Sequence, residues 1–125
     1  MTLVLDAGAL IALDRNERPM WTRLKASAQE GVLPVTHGGV VGQVWRGGPR
    51  QARLATALAG LDVKALDEEL GRSAGELLAA TGMSDVIDAA LALLAGDGDE
   101  IVTSDVNDME TFVVATGRHV ELLRP

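Results

Sequence analysis

Two kinds of hydrophobic run alternate along this chain. Short blocks of Val, Leu and Ile break off after a few residues, and longer stretches with helical spacing lie between them. LVLD (3–6) reads as a first strand, and AGALIALD (7–14) follows it without a gap as a helix. Residues 20–30 place Met20, Trp21, Leu24 and Ala28 on a helical face that Gly31 stops. VLPV (32–35) reads as a second strand, which Pro34 makes short or an edge. HGGVVGQVWRGG holds five glycines and reads as a helix over roughly 39–46, ended by Gly47-Gly48-Pro49. RQARLATALAG (50–60) is a further helix with a glycine stop.

LDVKAL (61–66) alternates apolar and polar residues, as a strand does. Residues 67–82 form a helix whose first turn is acidic, where the helix dipole favours negative charge. SDVIDAALALLAG (84–96) reads as a helix capped by Ser84 and stopped by Gly96. A strand near 100–103, a helix through DVNDMETFVVATG and a last strand in HVELL complete the pattern. Strands and helices alternate throughout, with no internal repeat or linker. That order predicts one α/β domain over residues 1–125, a three-layer α/β/α arrangement with a central parallel sheet of four to five strands.

Composition narrows the chemistry. The only aromatics are Trp21, Trp45 and Phe112, so the core must be aliphatic. The absence of cysteine excludes a disulfide scaffold, a thiolate zinc site and a cysteine nucleophile. MTLVLDAGALIAL carries Asp6 at its centre and no basic flank, unlike a signal peptide. VIDAALALLA is too short to span a membrane and contains Asp88. A soluble, cytoplasmic protein is the expectation. The net charge of −7 repels nucleic acid unless a local basic patch exists, or unless the acidity is gathered where a cation neutralises it.

The acids are placed where strands end. Ligands of open α/β sheets bind at the carboxyl ends of the strands. Asp6 closes the first strand, and Asp105 follows the IVTS strand directly. Asp85 opens a helix, with Asp88 three residues further on the same face, and Asp108 stands in the same relation to Asp105. Each of these has a plain alternative as a helix cap: Asp6 for the helix at Ala7, and Asp105 with Asp108 as a weak capping box. Together they weaken that alternative. Asp88 lies in the most apolar helix of the chain, where a carboxylate is costly unless paired or bound to a cation. Clustered aspartates repel, and a hard divalent ion such as Mg²⁺ or Mn²⁺ relieves this. The commonest chemistry of such a cluster is phosphoryl transfer or phosphodiester hydrolysis. No GxxxxGK[ST] or GxGxxG loop is present, and two histidines far apart give little support to a serine triad.

The order LVLDAGALIAL, a mid-chain helix, DVIDAALA and TSDVND resembles PIN-domain ribonucleases, in particular VapC-type toxins of bacterial toxin–antitoxin modules. The resemblance spans essentially the whole chain. It implies a PIN-like α/β/α fold and a Mg²⁺- or Mn²⁺-dependent endoribonuclease. Asp6, Asp85 and Asp105 match the family's metal-binding acids and Asp108 an accessory one. Thr103 or Ser104 would orient the cluster, and Asp88, outside the usual acid set, would be supporting or structural. The family usually has a glutamate on the mid-chain helix, where VVGQVWRGG has Gln43. Gln can ligate through its carbonyl oxygen but carries no charge and cannot act as a base.

Arg46, Arg50 and Arg53 form the one dense basic cluster, suited to RNA phosphates or to an antitoxin segment. His37 and Trp45 could stack on an unpaired base, although such an Arg-bearing face is often merely solvated and such a Trp is often core. The resemblance also implies a cognate antitoxin and a homodimer. Two readings compete with the nuclease. One is a PIN-like binding module disabled by Gln43. The other is a receiver-like phosphoacceptor using Asp105 or Asp6, against which stands the placement of the only lysines, Lys25 and Lys64, away from any strand-end motif.

Overall fold

A computed structural model describes all 125 residues. Its strands are β1 (Leu3–Leu5), β2 (Val35–His37), β3 (Asp62–Lys64), β4 (Glu100–Val102) and β5 (Glu121–Leu123). Its helices are α1 (Ala7–Asp14), α2 (Arg18–Gln29), α3 (Gly38–Val44), α4 (Ala52–Ala59), α5 (Glu68–Thr81), α6 (Val86–Leu93) and α7 (Val106–Thr116), with a 3₁₀ turn at Pro49–Gln51. All five strands are parallel, in the order β3-β2-β1-β4-β5. The expected α/β architecture is present, with five strands rather than four.

Helices α1 to α4 pack among themselves, and α5 to α7 form a second group, so the sheet lies between two helical layers. The middle strands carry the core. Leu3, Val4 and Leu5 of β1 and Ile101 and Val102 of β4 are buried, as near-continuous apolar runs of a parallel sheet covered on both faces must be. Phe112 on α7 is the sole buried aromatic of that core, which is otherwise built from Leu, Val, Ile, Met and Ala.

Three details depart from the sequence pattern. The second strand lies at Val35–His37, after Pro34 rather than across it, and it is interior. Pro34 cannot donate to a ladder, but its carbonyl accepts from Asp62 N at 2.9 Å just before the strand begins. The cap of α6 is Asp85, not Ser84. The strand order also disagrees with a receiver: doubly wound receiver folds run 2-1-3-4-5, whereas this sheet runs 3-2-1-4-5.

Order 3-2-1-4-5 places a switch point between β1 and β4. From β1 the chain builds outward to β2 and β3, then returns to lay β4 on the other side of β1. Loops leaving β1 and β4 therefore diverge, and a crevice opens between them at their carboxyl ends.

Candidate metal centre

Asp6 leaves β1 at that crevice. It is 6% exposed, and it is the N-cap of α1, its carboxylate accepting from Ala7 N. The other carboxylate oxygen accepts a short hydrogen bond from Thr103 Oγ1 across the switch point. Thr103 is fully buried, and its hydroxyl also accepts from Asp105 N at 3.0 Å. One hydroxyl thus fastens the end of β1 to the turn after β4. Of the two orienting residues expected, Thr103 does this, while Ser104 is exposed and packs by close contact. A Cβ on Gly8 would stand 2.0 Å from Ser104 Oγ and 3.1 Å from Ser104 N, so the loop approaches α1 this closely only over glycine.

Asp85 and Asp105 follow different routes to the same edge. Asp85 caps α6, accepting from Asp88 N at 3.1 Å, so its capping role is real. Asp105 occupies the N-cap position of α7 but makes no side-chain cap bond, and its carboxylate meets that of Asp108 instead. The capping-box reading of Asp105 and Asp108 is therefore not realised.

The electrostatics tie five acids together. Burial raises the Asp6 carboxyl above its ordinary value, against the hydrogen bonds from Thr103 and Ala7 that lower it, and the charges of Asp105 and Asp85 raise it further. Asp88 is pushed up to about 7, chiefly by burial and then by the charges of Asp6, Asp85, Asp105 and Asp108. Asp108 is raised first by the charge of Asp105, then by desolvation. Asp88, assigned a supporting place from sequence, thus faces the whole cluster. Its signal was visible in the apolar surroundings AALALLA, but not its direction. None of the five is ion-paired: the salt bridges are Lys64–Asp62 at 2.8 Å and Arg72–Glu68 at 3.0 Å.

No three carboxylate or imidazole groups converge tightly enough to form a ready coordination shell. Mutual repulsion and ligation act over different ranges. Charges feel one another across about 10 Å at 0.1 M salt, whereas a bound Mg²⁺ requires oxygens at about 2.0–2.1 Å. An all-oxygen, unneutralised donor set with this spread fits an ion held by one or two carboxylates that keeps several waters, the habit of Mg²⁺. None of the five acids lines the cavity of about 420 Å³ beside Lys64, Leu94 and Arg118; they form an open edge instead.

Other expected site residues are placed differently. Gln43 is exposed near the end of α3, and no hydrogen bond links its side chain to the acids. Arg46 turns back on α3, donating to Trp45 O at 2.7 Å, Gly42 O at 3.1 Å and Gln43 O at 3.3 Å, so it caps that helix. Arg50 in the 3₁₀ turn and Arg53 in the first turn of α4 are both exposed. His37 cannot stack on a base, because it is fully buried. Its Nδ1 accepts from Gly39 N at 3.0 Å, so Nε2 carries the proton and donates to Ile87 O at 3.0 Å, linking β2 to α6. Burial holds its pKa below the usual value. The Thr-His pair at the end of β2 and the glycine after it were the available signals for this strut. Trp45 is 40% exposed and remains accessible.

Among solved structures, the chain is similar to one in the crystal structure of VapBC2 from Rickettsia felis bound to a DNA fragment from their promoter. The TM-score is 0.67, and the match covers 98% of both chains at 16% identity. The fold is that of the PIN domain. At this identity the likeness establishes architecture alone. No family model matches the sequence, and no curated protein matches it significantly. No helix is long and apolar enough to cross a membrane.

Proposed function

We propose that this protein is a VapC-type endoribonuclease dependent on Mg²⁺ or Mn²⁺, the toxin of a type II toxin–antitoxin pair acting in the cytoplasm. The observation that carries the reading is the gathering of five unneutralised carboxylates at the switch point of a PIN fold. A bound divalent ion would supply charge neutralisation at the scissile phosphate and activation of the attacking water. One or two of Asp6, Asp85 and Asp105 would hold it directly and the rest, with Asp108, through its waters, since no three of the acids converge on one point. Thr103 orients Asp6 through its hydroxyl, fixing one carboxylate oxygen and leaving the cluster preorganised. In the metal-free chain burial and the neighbouring charges push the Asp88 carboxyl up to about 7, and its protonation limits the repulsion the fold must bear. The VapBC2 likeness supports a VapB-type antitoxin as partner, and a homodimer accords with the same family reading.

Gln43 favours a second reading, a PIN-like module that binds RNA or antitoxin without cutting. Its uncharged side chain adds no negative charge to the acid edge.

Cleavage of a pool of structured RNAs in Mg²⁺ and in Mn²⁺ separates the two. The wild type is expected to cut, and Asp6→Asn to lose more than about 100-fold of that activity. Cleavage by Gln43→Glu alone would transfer the assignment to the binding module. Cleavage that persists undiminished in Asp6→Asn would sink the metal-site reading.

A further inference from the structure

The acid edge has a basic neighbour that the arginines of the α3–α4 segment do not account for. A cavity of about 450 Å³ opens beside it, between Gly8, Ile11, Arg15 and Glu17 on one side and Ser104, Arg124 and Pro125 on the other. Its near wall adjoins the site: Gly8 is two residues from Asp6, and Ser104 precedes Asp105. Its far wall is basic. Gly8, Ile11 and Arg15 lie on one face of α1, so that face leads from Asp6 to the Arg15 guanidinium. Arg124 follows β5, and in a parallel sheet the end of β5 lies at the same edge as the ends of β1 and β4.

Both guanidinium groups are available. Arg15 is exposed and makes no hydrogen bond or ion pair through its side chain. Arg124 makes one long contact, donating to Ser104 O at 3.3 Å, while its own carbonyl accepts from Arg23 Nη1 at 2.7 Å. That second bond holds the backbone of the segment in place and leaves the Arg124 side chain beside the loop that carries Asp105. In a chain of net charge −7, two arginines without an ion-pair partner on one cavity beside five acids make a local positive wall that suits an anionic ligand. Glu17 is the one acidic side chain in the lining, and it forms no salt bridge with either.

We propose that Arg15 and Arg124 form a phosphate subsite for single-stranded RNA, holding the backbone next to the bond that the acid edge cuts. The assignment rests on the nuclease reading and extends it by naming the path of the strand. Arginine suits the task because its fork binds phosphate oxygens in pairs. The phosphate must lie beside the acids rather than among them, and this cavity is where the charge changes sign.

The test is binding of a fluorescent single-stranded oligouridine by anisotropy, in EDTA so that nothing is cut, across a range of salt concentrations. Each phosphate contact to a single strand contributes a slope of about 0.7 in the logarithmic salt plot. Arg15→Ala and Arg124→Ala should each lower the slope by about 0.7, with roughly eightfold weaker binding at 50 mM salt. Arg15→Lys and Arg124→Lys should keep the slope. Arg72→Ala, which removes an exposed charge on α5, controls for net charge and should change little. Binding by the wild type that the two alanine variants leave at the Arg72→Ala level overturns the subsite while the nuclease reading stands. Failure of the wild type to bind or cut RNA overturns both. A slope lost against oligoglutamate but not against RNA assigns the cavity to an acidic protein segment and also overturns the proposal.

Discussion

Replacing Thr103 with valine removes one oxygen and keeps the shape of the side chain. In the wild type that oxygen donates to Asp6 and accepts from Asp105 N. Thr103 is fully buried and Asp6 nearly so, which means that water cannot replace the lost partners. A hydrogen bond to a charged group contributes about 1.5–3 kcal/mol and a neutral one about 1 kcal/mol. Thr103→Val should therefore cost about 2–4 kcal/mol at pH 7. For a domain of this size that corresponds to roughly 8–15 °C in melting temperature. Thr103→Ser keeps the hydroxyl and loses one methyl, at about 1 kcal/mol.

The pH dependence follows from the same bond. The Thr103 hydroxyl lowers the Asp6 pKa against the burial that raises it, so its loss raises that pKa further. The deficit of Thr103→Val is then largest where Asp6 is ionised, and it shrinks as the pH falls toward the unfolded value of 3.8. Urea unfolding followed by circular dichroism, at pH 7 and pH 4.5 and with EDTA present, measures both quantities. Valine within about 0.5 kcal/mol of wild type, against the 2–4 expected, would refute the tie across the switch point. So would a serine variant worse than the valine one, or a deficit that grows on acidification.

Three further outcomes follow from the geometry. Asp88 titrates near 7 when folded and near 3.8 when unfolded, so the folded state is penalised increasingly from pH 4 to 7. Asp88→Asn should raise the free energy of unfolding, read from urea midpoints, more at pH 8 than at pH 4, by about 1–2 kcal/mol after allowing for solvent screening, and a gain independent of pH would contradict this. His37 has the opposite sign, because its lowered pKa makes the folded state resist protonation. Stability should fall as the pH drops below 6.5, and urea midpoints of His37→Gln should lose that part of the slope. Gly8→Ala, which in an open helix would stabilise by about 1 kcal/mol, should instead destabilise and weaken the calorimetrically measured Mg²⁺ affinity, since its methyl would meet the Ser104 side chain. Adding Ser104→Gly should recover much of both losses, and a stabilised Gly8→Ala protein would show that the loop yields freely.

Much of the architecture follows from the sequence because its causes are local. Three-residue apolar strands alternating with helices admit few arrangements other than a parallel sheet covered on both faces. Strand-end aspartates are equally local, since a residue after a strand in such a sheet must lie at the carboxyl edge. Sequence also set the acid list: Asp6, Asp85, Asp105, Asp108 and Asp88 all stand at that edge, where the charges of Asp6, Asp85, Asp105 and Asp108 reach Asp88. What local pattern could not determine was which strands become neighbours. Strand order depends on crossovers that bring residues about a hundred positions apart together, and it is the pairing of β4 with β1 that joins Thr103 to Asp6. The same holds for burial. His37 reads as an available ring until β2 is placed inside the sheet under α6, and Arg46 reads as free until the end of α3 supplies three carbonyls to it. Arg15 and Arg124 stand on opposite flanks of the chain's length, and they share a cavity only because β5 pairs with β4 and ends beside the start of α1. Sequence supplied the charges, and tertiary pairing decided which of them face one another, because electrostatic coupling depends on distance in space and not along the chain.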